Sequence, residues 1–359
     1  MQDEGVERYG GTKDVADSHK FDEKNLESYL AAHVEGFEGP MEVRQFKGGQ
    51  SNPTYQIVTP KKKYVMRRKP PGKLLPSAHA VDREYKVITA LEKIGFPAPH
   101  TYCLCEDESV VGTIFYVMDM VEGRILWDPR LPDIPREGRR AIFEAKISTL
   151  AKLHNADYEA IGLGDFGKPG NYFSRQISRW TKQYQMSETQ SIETMNKLID
   201  WLPGNIPDDD ANSIVHGDFR LDNMVLHADK PEVLAVLDWE LSTLGHPLGD
   251  FTYHLMQWFM PSEGASTQTL EGVDFDALNI PDAAEYTRLY CEHTGRDSIE
   301  NMDFYIAYNM FRLAGILQGI VGRVRDGTAS NEHAALMEDR VKPLSDVGWF
   351  YAQKAGAVG

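Results

Sequence analysis

The sequence predicts an α+β chain in two lobes, a small antiparallel-sheet lobe followed by a larger, mainly helical one. Three observations carry that expectation. At 359 residues the chain is long enough for two hydrophobic cores. Between 41 and 119, outside a helical stretch at 81–94, apolar residues alternate with period two between Gly- and Pro-punctuated breaks, as in strands and hairpins. From Arg136 onward, outside 214–240, they recur at helical spacing. The expected division is a polar tail at 1–20, a nucleotide-binding lobe at 21–121 and a catalytic, acceptor-binding lobe at 122–359.

Composition narrows the class. Hydrophobic residues make up 42% and charged residues 26% of the chain, a globular balance rather than a fibrous or disordered one. No run approaches the roughly 18 apolar residues of a membrane span. The N-terminal MQDEGVERYGGTKDVADSHK has no apolar signal core, so the expected compartment is the cytoplasm with no membrane partner. Cys103, Cys105 and Cys291 cannot build a disulfide framework, and Cys103-x-Cys105 reads as alternate residues of a strand rather than half a zinc site. A net charge of -16 argues against general nucleic-acid binding. One basic island interrupts it: Lys61, Lys62, Lys63, Arg67, Arg68, Lys69 and Lys73. That island suits a compact polyphosphate, and for its first three lysines equally a strand edge guarded against pairing.

In chain order, Asp22 can cap a helix over 22–34 with Leu26, Tyr29, Leu30 and Val34 on one face. Strands at 41–46 and 54–59 flank Lys47-Gly48-Gly49-Gln50-Ser51-Asn52, a hairpin tip with backbone N–H groups free to approach phosphates. The strand at 63–69 puts Val65, Arg67 and Lys69 on one face. A helix at 81–94 buries Val87, Ile88, Leu91 and Ile94 and offers Glu84 as partner for the strand cation. A strand at 114–118 runs through Met118 into Asp119-Met120-Val121-Glu122-Gly123, an extended linker where Gly123 allows a turn.

The second lobe begins with a helix at 136–155, where His154 reads as a dipole-compensating or capping residue. Residues 172–201 form a further helical region. Asp250 opens a helix at 250–259, as a simple N-cap or as a holder of nearby loop backbone. Nine acids and two basic residues at 262–300 make an acidic flap or a solvated face. Ile306, Met310, Leu313, Leu317, Ile320 and Val324 mark a long core helix.

The chemistry concentrates in IVHGDFRLDNMVLHADKPEVLAVLDWE, residues 214–240. Asp218, Asn223 and Asp238 fall in a strand, loop, strand, hairpin, strand context, and a buried strand that ends on Asp238 delivers a carboxylate to a cleft edge. H-x-D-x-x-x-x-N followed by a strand ending in Asp is the spacing with which protein kinases place one Asp as base and an Asn and a later Asp on magnesium. Two other readings stand beside it. A two-metal phosphoesterase would use His216, Asp218, Asp222 and Asp238, although the eleven histidines are scattered. A nucleotide-binding pseudokinase would explain Arg67, where kinases carry lysine.

The ordered motifs GGQSN, YVMR, REY, MDMVEG, LAKLHN, HGDFRLDN and LDWE, between about 46 and 253, resemble the aminoglycoside phosphotransferase and choline kinase-like family. More narrowly, VLDWELSTLGHPLGD and YVMRRKPPGK look like the kinase-like domain attached to some acyl-CoA dehydrogenases. The resemblance implies a two-lobed protein-kinase-like fold and a stand-alone phosphotransferase, functionally linked to such a dehydrogenase, that uses ATP and Mg2+. It implies that Gly48, Gly49, Ser51 and Asn52 approach the phosphates and that Val65 lines the adenine pocket. Arg67 would replace the strand lysine with Glu84 as its partner, and Met118 and Met120 would flank the adenine-binding linker. Asp218 would be the base, Arg220 would steady the transferred phosphoryl, and Asn223 and Asp238 would hold magnesium, with His216 supporting the loop. An acidic flap suits a cationic acceptor such as an aminoglycoside or choline. The closer likeness implies an acyl-CoA-type acceptor, a hydroxyacyl-CoA, and that is the expectation preferred.

Overall fold

The structure, a computed structural model, describes residues 11–47, 52–72, 79–262, 269–326 and 337–358. Gly48, Gly49, Ser51 and Lys73 lie outside the described residues. Its strands are β1 (Thr12–Lys13), β2 (Glu42–Phe46), β3 (Thr54–Val58), β4 (Lys63–Arg68), β5 (Thr101–Cys105), β6 (Phe115–Asp119), β7 (Ser213–Val215), β8 (Met224–Leu226), β9 (Val233–Val236) and β10 (Thr243–Gly245). Its α-helices are α1 (Glu23–His33), α2 (Val81–Glu92), α3 (Arg136–His154), α4 (Tyr172–Ser187), α5 (Glu193–Trp201), α6 (Pro247–Leu255), α7 (Phe275–Leu278), α8 (Ala283–Thr294), α9 (Met302–Arg325) and α10 (Glu338–Lys354).

The chain forms two compact units: 1–127, 157–166 and 220–242 in the first, and 128–156, 167–219 and 243–359 in the second. By that division the stretch 220–242 groups with the first unit.

Alternation in neighbouring strands builds the first unit. Its antiparallel sheet runs in the order β1-β2-β3-β4-β6-β5. Thr54 and Gln56 stand opposite Arg67 and Val65, which in turn stand opposite Tyr116 and Met118. Because side chains alternate faces, these six share one side of the sheet. The other side presents Tyr55, Ile57, Tyr64, Met66, Phe115 and Val117, all buried with Leu26 and Leu30 of α1. Each such apolar side chain contributes about 1.5–3 kcal/mol by leaving water. Asp22 caps α1 as expected, its carboxylate accepting the Asn25 N–H at 3.0 Å. Helix α2 packs against β5, β6 and the turn of helix at Trp239–Leu241. Ile94, expected in its buried face, lies past the helix end and is 38% exposed.

The hairpin β8–β9 completes this unit, and Leu226 and Arg124 exchange backbone hydrogen bonds of 2.8 and 2.9 Å. Gly123 matters here for close approach rather than for turning, because a Cβ there would stand 2.3 Å from the Leu226 carbonyl oxygen. The basic island does not form one surface. Lys61, Lys62 and Lys63 pair with Glu38, Asp119 and Glu122. Arg68 is buried, donating to the Val111 carbonyl at 3.0 Å and lying over the rings of Phe21 and Tyr55. Cys103 and Cys105 sit in the core, where burial pushes the Cys103 thiol up to about 12.

In the second unit α9 is the central helix, buried along most of its length and packed on α10, α4 and α6. Residues 172–201 are two helices rather than one, since α4 ends at Ser187 and α5 begins at Glu193. Helix α6 starts at Pro247 with His246 as its N-cap, so Asp250 lies inside the first turn. The acidic stretch 262–300 contributes α7, α8 and the buried Leu270, Ile280, Tyr286 and Tyr290, so its described part is packed structure rather than a flap. Among the described residues no helix is long and apolar enough to cross a membrane.

Candidate functional site

The polar side of the sheet forms one wall of a 590 Å³ cavity in the first unit. Thr54, Gln56, Val65, Arg67, Tyr116 and Met118 line it from β3, β4 and β6, and Met120 to Gly123 line it from the linker. Asn223, Leu237 and Asp238 line it from the β8–β9 segment. The size and the mix of apolar walls with a few polar groups suit a small-molecule ligand such as a nucleotide.

Arg67 organises the charge in this cavity. Its Nε lies 3.1 Å from Glu84 Oε2, and its Nη2 lies 2.9 Å from Asp238 Oδ1 and 3.6 Å from Glu240 Oε2. Burial disfavours the Arg67 charge, but Glu84 and Asp238 outweigh it and hold the guanidinium above its ordinary range. Glu84 is the member of the pair that titrates. Burial pushes it up to about 7, against the pull of Arg67. Asn52 donates to Glu84 Oε1 at 2.9 Å and Tyr116 donates to its Oε2 at 3.1 Å, so both carboxylate oxygens are held.

Asp238 follows β9 in the left-handed backbone region, at φ 64. Aspartate tolerates that region better than bulkier side chains do. The Leu237 N–H donates to the Asn223 carbonyl at 2.8 Å, which fixes the loop after β8 against the end of β9 and keeps Asn223 and Asp238 on one wall. An amide oxygen and a carboxylate are hard donors, and two of them match what magnesium takes from protein when phosphates and water complete its shell. Arg220 belongs to the same unit, with Nη2 2.7 Å from Asp222 Oδ2.

Asp218 lies in the second unit, in a loop held from several directions. Gly217 has φ 86, a conformation that favours glycine in the H-G-D sequence. Buried Asp250 accepts the N–H of His216 at 2.7 Å and of Gly217 at 2.9 Å, while Arg312 donates to the Gly217 carbonyl at 2.9 Å. Burial works against the Asp250 charge, but His154 and the His216 N–H hold its carboxyl below the usual range. His154 Nε2 is 3.3 Å from Asp250 and its Nδ1 is 2.7 Å from the Tyr290 hydroxyl. An ionised carboxylate only accepts, so His154 presents an N–H to Asp250 at Nε2. His154 thus serves this network rather than the helix dipole. Tyr253 donates to Asp218 Oδ1 at 3.1 Å, and its ring lies under Arg312 at 4.4 Å.

Of the cavity residues anticipated from sequence, Val65, Arg67, Met118, Met120, Asn223 and Asp238 line it. Glu84 stands behind Arg67. Asn52 is wholly buried, between Glu84 and His79 at 3.0 Å, and does not line the cavity. Thr54, Gln56 and Tyr116 were not anticipated, although alternation from Val65 and Arg67 through the strand register would have located them. Tyr253 and Arg312 carried no sequence signal, because only folding brings α6 and α9 to the Asp218 loop. His216 is wholly buried and its Nδ1 accepts the Asp218 N–H at 3.2 Å, which fits support of the loop and not metal ligation. Among the described residues no group of three or more His, Cys, Asp or Glu could hold a metal ion, so nothing favours the two-metal phosphoesterase.

Acyl-CoA dehydrogenase family member 10 of Mus musculus is 44% identical over 334 residues, which are 93% of this chain and 31% of that protein. The chain therefore spans about a third of that relative's length. A crystal structure from Ralstonia eutropha JMP134, provisionally described as an aminoglycoside phosphotransferase, is 52% identical with a TM-score of 0.87, covering 93% of this chain and 99% of the other. A thermostable mutant of the aminoglycoside phosphotransferase APH(4)-Ia, solved as a ternary complex with ADP and hygromycin B, shares the fold at 15% identity, with a TM-score of 0.59 over 91% of this chain and 98% of the other. The fold is thus the kinase-like one, a small antiparallel sheet with a mostly helical remainder. Residues 42–287 match the family model described as "Phosphotransferase enzyme family", and this chain belongs to that family.

Proposed function

We propose that this protein transfers the γ-phosphoryl group of ATP, with magnesium, to the hydroxyl of a small-molecule acceptor, a hydroxyacyl-CoA. The observation that carries this reading is Arg67 bridging Glu84 and Asp238 on the wall that also holds Asn223. A strand cation with a helix glutamate, beside an Asn and a strand-end Asp, is the set with which kinases position nucleotide phosphates. Arginine here keeps the glutamate pair that lysine makes elsewhere, which supports the kinase reading over the pseudokinase.

The acceptor oxygen attacks the γ-phosphorus, the bond from that phosphorus to the β–γ bridging oxygen breaks, and the acceptor proton passes to the Asp218 carboxylate. Asn223 and Asp238 would hold magnesium, which when bound neutralises charge on the phosphates. Because the transition state is loose, the gain comes from position and charge rather than from a nucleophile of the protein. Asp250 and Arg312 fix the Gly217 peptide, and with it the point from which Asp218 extends. Arg67 offers its charge to the phosphates while Glu84 keeps its fork oriented. The closer resemblance to acyl-CoA dehydrogenase-associated proteins supports the acyl-CoA acceptor.

ADP release against hydroxyacyl-CoAs, aminoglycosides and choline-like alcohols tests the reading. Turnover with hydroxyacyl-CoAs well above the other two classes is expected. Turnover confined to aminoglycosides or choline-like alcohols would overturn the acceptor, and nucleotide binding without any transfer would overturn the kinase.

A further inference from the structure

Within the second unit, α4 and the C-terminal turns of α9 line a groove of about 900 Å³. Helix α4 contributes Arg175, Arg179 and Lys182, α9 contributes Arg323 and Arg325, and among the described residues Asp326 is the one acid on the wall. Residues 175, 179 and 182 are spaced at one helical face, where neighbouring like charges repel. Helix α4, reading YFSRQISRWTKQYQMS, has no acid to relieve that repulsion. Arg325 pairs with Asp326 at 2.9 Å. Neither Arg179 nor Lys182 has an acidic partner among the described residues. On a chain of net charge -16, this concentrates cations in one concavity.

The groove is joined to the catalytic loop by a single rigid element. Arg312 of α9 holds the Gly217 carbonyl one residue before Asp218, and Arg323 is eleven residues further along the same helix. At the rise of an α-helix that separation is about 16 Å. Between them Gly319 and Gly322 let α4 approach, since a Cβ would stand 2.7 Å from Gln183 Nε2 and 2.6 Å from Ser187 Cβ respectively. The pantetheine arm between an acyl thioester and its phosphates spans roughly 15 Å at extended-chain spacing.

We infer that the α4–α9 groove is an anion subsite for the phosphate groups of the acceptor, held there while the acyl hydroxyl reaches Asp218. The inference rests on the acyl-CoA reading of the acceptor given above. It assigns the cations the electrostatic work of capturing a multiply charged carrier, for which a small concave basic site is suited.

Calorimetric titration of the full chain with CoA, 3′-dephospho-CoA and pantetheine tests it, together with the double variant Arg179→Glu/Lys182→Glu. Both side chains are exposed, so folding is expected to be unaffected, and Tm and ADP affinity check this. CoA should bind more tightly than 3′-dephospho-CoA and pantetheine more weakly than either, with CoA affinity falling as salt rises. The double variant should weaken CoA binding about tenfold or more and raise the KM for a hydroxyacyl-CoA with kcat held. Equal CoA affinity in the two proteins would overturn the subsite. So would tighter binding of single-stranded oligonucleotide or anionic vesicles than of CoA, lost in the same variant. CoA binding that the variant loses, with no transfer to any hydroxyacyl-CoA, would remove the acceptor reading and leave the subsite. Transfer with an unchanged acceptor KM in the variant would do the reverse.

Discussion

Arg67 and Asp238 are 2.9 Å apart, and the same guanidinium reaches Glu84 at 3.1 Å. One planar fork therefore spans a helix carboxylate and a strand-end carboxylate, two contacts that a single ammonium group cannot make in the same fixed geometry.

Replacing Arg67 separates charge from shape. Arg67→Met leaves Glu84 buried without its cation and should cost about 3–5 kcal/mol in chemical denaturation. Arg67→Lys keeps a charge for Glu84, and its kcat/KM should fall about tenfold while stability changes much less. A methionine variant as stable as the parent would show that the bridge is not structural.

The pH dependence of stability has a definite sign. Glu84 titrates at about 7 in the folded protein. An unfolded glutamate does so near ~4.3. The folded state therefore binds more protons between those values, and the associated stability is complete below the lower one and lost as pH rises through the upper. Glu84→Gln should remove this slope, so that the parent loses roughly 3 kcal/mol more than the variant between them. Parallel stability curves for the two proteins over that window would refute the assignment.

Asp218→Asn should reduce kcat by a factor of about 100–10000 while leaving ADP affinity within about twofold, because the amide retains shape but cannot take the acceptor proton. Tyr253 acts through Asp218, to which its hydroxyl donates. Tyr253→Phe should lower kcat a few-fold with the nucleotide KM nearly unchanged. An unchanged kcat would mean that Tyr253 serves packing alone.

Asp250 is a positioning residue, since it holds the N–H groups of His216 and Gly217 rather than any reacting atom. Asp250→Ala strands two buried donors and should cost about 2–5 kcal/mol of stability. At a temperature where the variant remains folded, kcat should fall about a hundredfold with the nucleotide KM nearly unchanged. A fall in nucleotide affinity of the same size would place the effect elsewhere.

Local patterning alone determined much of this protein. Period-two alternation marked the strands that carry Val65 and Arg67, an Asp22 cap and apolar spacing marked α1, and the order of Asp218, Asn223 and Asp238 pointed to the phosphotransferase family to which the chain belongs. These signals are legible because they depend on side-chain spacing and backbone propensity within one segment. Only tertiary structure decided the rest. The basic island at 61–73 read as one cluster, yet pairing with Glu38, Asp119 and Glu122 and burial of Arg68 dispersed it. A groove with five cations arose instead from α4 and α9, more than a hundred residues apart in sequence. His154 and Asp250 likewise looked like local caps, and long-range contacts made them a buried network behind the loop of Asp218. Charge clusters and hydrogen-bond networks are properties of distances in space, and spacing along a chain reveals them only when one helix or strand supplies every member.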